Sequence, residues 1–408
     1  MSRFNVLKIF KNKRRFRLIV ASILHALFLV AVTLWLLQKN YTYGDEKFVI
    51  RWSSIIKKMV FKIDDKPPRN DLLFINTSYD NMLIDRLDDD GFSVGNQVIT
   101  DREKLSRLFE IMKNNNSNHK YVICDIFFKD PSPYDSSLNE NIMKLKNIII
   151  PYHISSDSEI QEPLFKINKG FSDYNIIEGS FLKYSLIQLD SLPSLPLKMY
   201  MDLYNASFSG KGIICLMNGK PAFNTVIIDF KVRYYDIRED MSPEPYPYVN
   251  LGEFMSLPDS VIAKTIKDRI VIIGDLQERD MHQTLIGTMP GSIILLNVFL
   301  TLKESENLIK PLFLAILFLT YFLISLDVFS DKNILERKYI RMLSQNRIGK
   351  FFVKLFKYIS YLIIASVIIY ILYNIHLNIL IIALYFNFID SLLIKIRNKQ
   401  KAKFEAGI

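Results

Sequence analysis

Four long apolar runs limit what this chain can become. Leu18–Leu37 is 20 residues with no acid or base apart from His25, a length that carries an α-helix across a bilayer. Leu36, Leu37, Gln38 and Lys39 close the run without a small-residue cleavage site, so it reads as an uncleaved anchor. Near the other end, Leu308–Leu326 is interrupted only by Lys310 and Pro311 close to its start. Tyr358–Tyr373 is 16 residues without a charge, and Leu377–Ile394 is apolar except for Asn378, Asn387, Asp390 and Ser391. Asn374, Ile375 and His376 between the last two runs suit a tight turn joining antiparallel helices. The Tyr358 run is short for a span; it reaches full length by extending back past Lys354 and Lys357, whose ammonium groups snorkel to the headgroups.

Charge then orients the spans. Residues 1–17 carry net +7, residues 328–357 net +6 and residues 395–408 net +4, against +10 for the whole chain. The rest is therefore acidic overall. Basic segments stay on the cytoplasmic side, so four spans put both termini inside and residues 38–307 outside. The bases sit beside spans and not on a folded domain, which argues against nucleic acid as a partner. The predicted organisation is a basic stub (1–17), a span (18–37), an outer domain (38–307), a span (308–326), a basic loop (327–357), two spans (358–373 and 377–394) and a basic tail (395–408).

The outer region is organised around Tyr121–Leu138, YVICDIFFKDPSPYDSSL. Its apolar start reads as a buried strand. Pro131 and Pro133 force a turn, and Asp135 to Ser137 open a helix carrying Leu138, Ile142 and Leu145 on one face. Asn147–Tyr152 (NIIIPY) is the next strand, so the unit is a strand, a crossover helix and a parallel strand. Asp71–Asn76 (DLLFIN) and Arg269–Gly274 (RIVIIG) are further buried strands. Leu105, Leu108, Phe109 and Met112 share one face of a helix capped by Thr100 or Asp101. Gly212–Met217 and Asn224–Phe230 read as two strands around a turn at Asn218 and Gly219. Residues 77–100, 236–258 and 275–289 read as loops, and Ser292–Leu302 as a helix feeding the second span. The fold class is α/β with a mixed, largely parallel sheet, plus four transmembrane α-helices.

These pieces, in this order, resemble the CHASE2 domain, the second type of CHASE domain, an extracellular sensory domain of bacterial receptors. ITDREKL (Ile99 to Leu105) resembles the family's Arg-containing helix start. VICDIFFKDPSPYDSSL resembles its strand, Asp, Phe, Pro and Asp–x–x–Leu signature. GFSDYNIIEGSFLKYSL (Gly170 to Leu186) and DRIVIIGDLQERDMHQTLIGTMPGSIILLN (Asp268 to Asn297) resemble its Gly–Phe segment and its closing strand, polar loop, Pro–Gly and helix. One span before the domain and three after also fit. The chain departs from the family at Val98 and Ile99, where Trp–Pro is common, at Lys183, where Arg is usual, and at Leu295 and Leu296, where His–Ala often stands. Family members usually continue into a kinase or cyclase; the 14 residues after Ile394 are too few to bury a catalytic core.

Several side chains are candidates for ligand contact. Asp125 and Asp135 sit at a strand's carboxyl end, where α/β domains gather ligands; the alternative is that Asp135 caps a helix and Asp125 bonds nearby amides. Arg102 lies in the first turn of a helix and opposes its dipole, so a partner such as Asp125 or an anionic ligand should offset it; the alternative is an exposed arginine. Asp275, Glu278, Asp280 and His282 cluster after the last strand; the set suits a hard cation or a positioned water, or is a solvated loop. No zinc spacing, P-loop, nucleophile elbow or dinucleotide fingerprint occurs. No cofactor or metal is expected. Cys124 and Cys215 read as buried thiols, with a disulfide permitted outside the cytoplasm.

The sequence is thus expected to encode a bacterial inner-membrane sensor of an unknown small-molecule or envelope signal, without enzymatic activity. It would relay to a separate cytoplasmic signalling protein and act as a homo-oligomer. The alternatives are a structural or assembly membrane protein using the outer domain as a docking module, and a hydrolase using Asp275, Asp280 and His282.

Overall fold

The computed structural model describes residues 13–39, 44–63, 65–87, 90–116, 118–155, 157–173, 181–189, 191–211, 214–277, 279–330 and 347–405. In chain order the helices are α1 (Lys13–Leu37), α2 (Gly44–Ile55), α3 (Arg102–Asn114), α4 (Asp135–Met143), α5 (Leu195–Tyr204), α6 (Leu251–Met255), α7 (Asp259–Ile266), α8 (Gly291–Lys303), α9 (Pro311–Phe329), α10 (Arg347–Tyr373) and α11 (Ile379–Glu405). The strands are β1 (Leu72–Asn76), β2 (Asn81–Leu87), β3 (Ser93–Thr100), β4 (Tyr121–Cys124), β5 (Ile148–Ile154), β6 (Ile160–Gln161), β7 (Lys169–Phe171), β8 (Lys183–Ser185) and β9 (Ile187–Gln188). They continue with β10 (Leu192–Pro193), β11 (Phe208–Lys211), β12 (Ile214–Met217), β13 (Lys220–Ala222), β14 (Thr225–Ile227), β15 (Tyr248–Asn250), β16 (Ile270–Gly274), β17 (Met281–Thr284) and β18 (Gly287–Pro290). Two compact units result: one from Met1–Lys62 together with Ile309–Ile408, the other from Ile63–Leu308.

The first unit is helical. Among the described residues, three helices are long and apolar enough to cross a membrane, over Arg15–Leu37, Pro311–Phe329 and Ile379–Gln400. The expected fourth span lies in α10, whose apolar part, Tyr358–Tyr373, is shorter. Polar side chains on these helices find one another. Thr33 Oγ1 and Tyr321 OH are 2.7 Å apart. His25 lies 2.8 Å from Ser325 Oγ through Nδ1 and 3.0 Å from Tyr385 OH through Nε2. Asn378 Nδ2 donates to Glu46 Oε1 at 2.6 Å. Leaving such groups unpaired in an apolar setting costs several kcal/mol, so these bonds fix which helix faces meet.

The second unit is built on one sheet, ordered β15-β1-β16-β4-β5-β6, with β7 also paired to β5. Every pairing from β15 through β5 is parallel, as is β5 with β7, and only β6 runs antiparallel. Helices cover both faces. Leu72, Phe74, Tyr121, Ile123, Ile270 and Ile272 pack on one side with α8 and α5 residues such as Ile293, Leu296 and Leu197. Leu73, Ile75, Val122, Cys124, Val271 and Ile273 pack on the other with Leu105, Leu108, Phe109, Leu138 and Ile262. A strand buried on both faces reads as an unbroken apolar run, which is why β1, β4, β5 and β16 stand out in the sequence.

Two anchors hold the covering helices. Asn297 of α8, fully buried, accepts from Val232 N (2.9 Å) and donates to Val232 O (2.7 Å), tying the helix to an irregular segment. Gly170 in β7 lets the start of α5 approach so closely that any Cβ would overlap the Leu195 backbone.

Several expectations are corrected. Residues 77–100 are a hairpin, β2 with β3, and not a loop. Residues 236–258 include β15, an edge strand of the main sheet, and α6. Residues 275–289 contain the β17–β18 hairpin. Gly212–Met217 and Asn224–Phe230 do not form one hairpin: β12 pairs with β11 and β13, and β14 pairs with β8. The reading of Cys124 and Cys215 as buried free thiols, by contrast, agrees with the structure.

Asn297→Leu keeps the side chain's size but strands the N–H and C=O of Val232 in the core. A loss of about 3 kcal/mol is expected from two orphaned backbone groups, read by chemical denaturation of the detergent-solubilised chain. Unchanged stability would show that α8 is held by apolar packing alone.

Candidate functional site

The parallel strands all end on the same side, and there the polar chemistry collects. Asn76, the last residue of β1, is fully buried. Its Oδ1 accepts from Ser78 N (3.2 Å) and Leu276 N (3.0 Å), and its Nδ2 donates to Asn250 Oδ1 (3.0 Å). One amide thus joins the ends of β1, β16 and β15. The Ser78 hydroxyl stands 2.6 Å from both Asn76 Oδ1 and Asp275 Oδ1, with one proton to share between them.

Beside this knot lies a cleft of about 270 Å³. The loops after β1, β4 and β16 and the β2–β3 hairpin form its walls, which include Asp125, Asp275, Arg102, Arg279, Asn81 and Gln97. A wider, more open groove of about 1150 Å³ runs between the hairpin and the 129–133 turn and shares Gln97, Val98 and Asp130 with the cleft.

The sequence candidates fall into distinct roles. Arg102, at the start of α3, is buried and forms an ion pair with Asp135, 33 residues away, and not with Asp125. Its guanidinium also sits 5.4 Å from the Phe128 ring centroid. The second oxygen of Asp135 accepts from Ser132 N at 2.8 Å. A carboxylate so bonded to an arginine and an amide shapes the turn after β4 and offsets the arginine against the α3 dipole. The structure shows Asp101 as the α3 cap, accepting from Lys104 N at 3.0 Å. Asp275 reaches the cleft, but accepts from Gln277 N at 3.0 Å and Arg279 N at 3.3 Å, bonds that shape its own turn. Asp280 pairs with His282 at 2.7 Å, and its carboxylate crowds Gly291 so closely that no side chain fits there. Glu278 lies outside the described residues.

Asp125 is different. Its backbone N–H continues the sheet ladder to Ile273 O at 2.8 Å, while its carboxylate has no hydrogen-bond partner among the described residues. Removal from water, and then the nearby Asp280 carboxylate, hold its pKa well above the usual aspartate range. Gly274 brings the next group close: a Cβ there would lie 3.5 Å from Asp125 Cβ and 3.4 Å from Ser292 Oγ. The Ser292 hydroxyl is fully buried at the start of α8 without a hydrogen-bond partner among the described residues.

Sequence reasoning missed Asn81, Gln97, Asp130 and Arg279. Gln97 Nε2 donates to Asp130 Oδ2 at 2.6 Å, and Arg279 Nη1 to Asn81 Oδ1 at 3.1 Å. Asn81 and Gln97 lie on the hairpin, whose one sequence signal was the Asp90–Gly91 turn between its strands. Among the described residues no three His, Cys, Asp or Glu side chains converge on one metal position. What the arrangement offers is a small polar recess at strand ends, lined by charges of both signs.

A doubly covered, largely parallel sheet with such a recess, in a chain whose described residues include three membrane-length apolar helices, is the plan of a membrane protein with a separate α/β unit. The chain belongs to the CHASE2 domain family, whose model matches residues 28–326. CHASE2 is a family of extracellular sensory domains. No curated protein and no solved structure matches the chain.

The raised pKa of Asp125 has a sign. Folding favours its neutral form, so this term is fully stabilising below the ordinary aspartate value of 3.8 and is lost as pH rises through the higher folded value. Asp125→Asn removes the titration. It is expected to melt higher than the parent chain at neutral pH, with the gap closing as pH falls toward about 4. Parallel melting curves for the two chains across that range would contradict a desolvated carboxylate.

Proposed function

We propose that this chain is a multi-pass receptor of a bacterial inner membrane, whose outer α/β domain binds a small ligand at the carboxyl ends of β1, β4 and β16. The observation that carries this reading is the polar cleft, found in a chain that belongs to a sensory family. In this reading four helices span the membrane. The fourth is α10, a continuous helix of 27 residues, about 40 Å long at 1.5 Å per residue. Both termini are cytoplasmic and residues 38–307 lie outside, in keeping with the basic segments beside the spans. Arg102, Asp125, Asp135, Asp275 and Asp280 hold or shape the ligand site.

The chain itself catalyses no reaction in this reading. A ligand that closes the cleft shifts the β16–α8 connection, because Gly274, Asp125 and Ser292 stand against one another there. Helix α8 leads in sequence through residues 304–310 into α9, so the displacement has a covalent route to the membrane. A separate cytoplasmic protein receives it, docking on the basic loop and tail, and a homo-oligomer supplies the second subunit against which helices move.

A second reading is favoured by one observation. Leu83, Phe92, Val94 and Val98 on the β2–β3 hairpin are all exposed apolar residues. Such a surface suits a docking module of a structural or assembly protein. In-cell crosslinking of the full chain separates the two. Capture of a kinase, cyclase or response regulator is expected for a receptor. Capture only of envelope assembly proteins, or of the chain itself, would replace the relay with the docking role.

A further inference from the structure

The charged groups of the cleft can be taken one at a time. Arg102 is neutralised by Asp135. Asp130 accepts from Gln97, and Asp275 accepts from Ser78 or the backbone of its own turn. Arg279 at the wall spends one N–H on Asn81. Only Asp125 is left with no hydrogen bond and no cation beside it among the described residues. A partly buried carboxylate left without a partner favours a cation that completes it.

Its surroundings narrow what that something is. The Ser292 hydroxyl, without a hydrogen-bond partner among the described residues, is fully buried beside Gly274 and is not among the residues that line the cleft. Phe127 lines the same cleft, two residues along from Asp125. Its ring is held edge-on to His153, centroids 4.6 Å apart, and His153 is fixed by Asp173 at 2.7 Å. One cleft-lining carboxylate without a partner, with the Asp280 carboxylate near it and one aromatic ring beside it, falls short of the six or more oxygens that a bare hard cation takes. The carboxylate and the ring do match a group with several N–H donors and a diffuse positive charge.

We infer that the cleft takes a small organic ammonium compound, its ammonium seated between the Asp125 carboxylate and the Phe127 ring. This rests on the reading of the cleft as the ligand site. Two sources share this chemistry: free amines such as diamines, and amino acids. In an amino acid the carboxylate turns toward Arg279, whose remaining donors are at the cleft wall.

The test is thermal melting and calorimetric titration of the full chain in detergent against single compounds. The compounds are putrescine, cadaverine, glycine, L-alanine, succinate and glucose. At least one ammonium compound is expected to raise the melting temperature. Asp125→Asn is expected to weaken its binding by about tenfold or more, the cost of losing a charge-assisted bond. Phe127→Leu should weaken it by about threefold. Asp125→Asn remains a valid probe because its own unliganded melting temperature is expected to be no lower than the parent's. Binding of putrescine or cadaverine, unaffected by Arg279→Gln, assigns the amine source. Binding of glycine or alanine that Arg279→Gln weakens assigns the amino-acid source.

Tight binding of an ammonium compound to Asp125→Asn would overturn the inference, and so would stabilisation by succinate or glucose alone. The latter would leave the receptor reading standing with a different ligand class. No stabilisation by any compound would also overturn the ammonium assignment, while the receptor reading is judged separately by the crosslinking partners.

Discussion

The buried amide of Asn76 is the point from which the working end of this domain is arranged. Its four bonds join the carboxyl ends of β1, β15 and β16, strands drawn from distant parts of the sequence. A parallel sheet covered on both faces hides its side chains but must still satisfy the groups where its strands stop. Asn76 does this with protein partners at the ends of three strands. In doing so it sets where Ser78 and Leu276 stand, hence where Asp275 turns the chain and where Arg279 emerges. The cleft is the space left between these turns and the hairpin that follows β1.

Around that cleft the domain follows the rule that buried charge is matched, with one departure. Arg102 is buried beside Asp135 and Phe128, and Asp80 accepts from both Lys104 at 2.7 Å and Gly252 N at 3.0 Å. Each of these fixes a loop to a helix. Among the described residues the Asp125 side chain fixes nothing. A group that weakens the folded state and bonds to no neighbour is what a binding site requires, since whatever completes it is then held by the full benefit of the missing contact. Stability and recognition pull in opposite directions at this one residue.

The sheet's core strands were legible because burial on two faces writes an unbroken apolar run: LLFIN, YVIC, IIIPY and IVIIG each announce themselves. The α3 stripe was legible for the complementary reason, a single buried face at helical spacing. The β2–β3 hairpin was not. Most of β3 is exposed on both sides, so no face imposes an alternation on SVGNQVIT. β15 was hidden by the prolines around it and by its place at the sheet edge, where only one neighbour constrains it. Of the candidate site, Arg102, Asp125 and Asp275 were found at strand and helix ends and do line the cleft. The partner of Arg102 was not, because an ion pair across 33 residues leaves no spacing to read. The hairpin's own contributions, Asn81 and Gln97, went unseen with the hairpin.

The strand order also governs how the domain comes into being. Leu72 pairs with Ile270, and Ile270 with Tyr121, so β16 enters between β1 and β4. Of the strands in the main sheet it is the last to be synthesised, yet it occupies the middle. Until about two hundred residues have followed β1, the backbone groups of β1 and β4 that face each other across this gap have no partner. Contacts of such long range form slowly, and partly made chains expose apolar strands that invite aggregation. The domain is therefore a late folder by construction. A nascent chain halted before residue 270 has nothing to close around, which makes completion of the strand that precedes α8 the checkpoint for the whole outer unit.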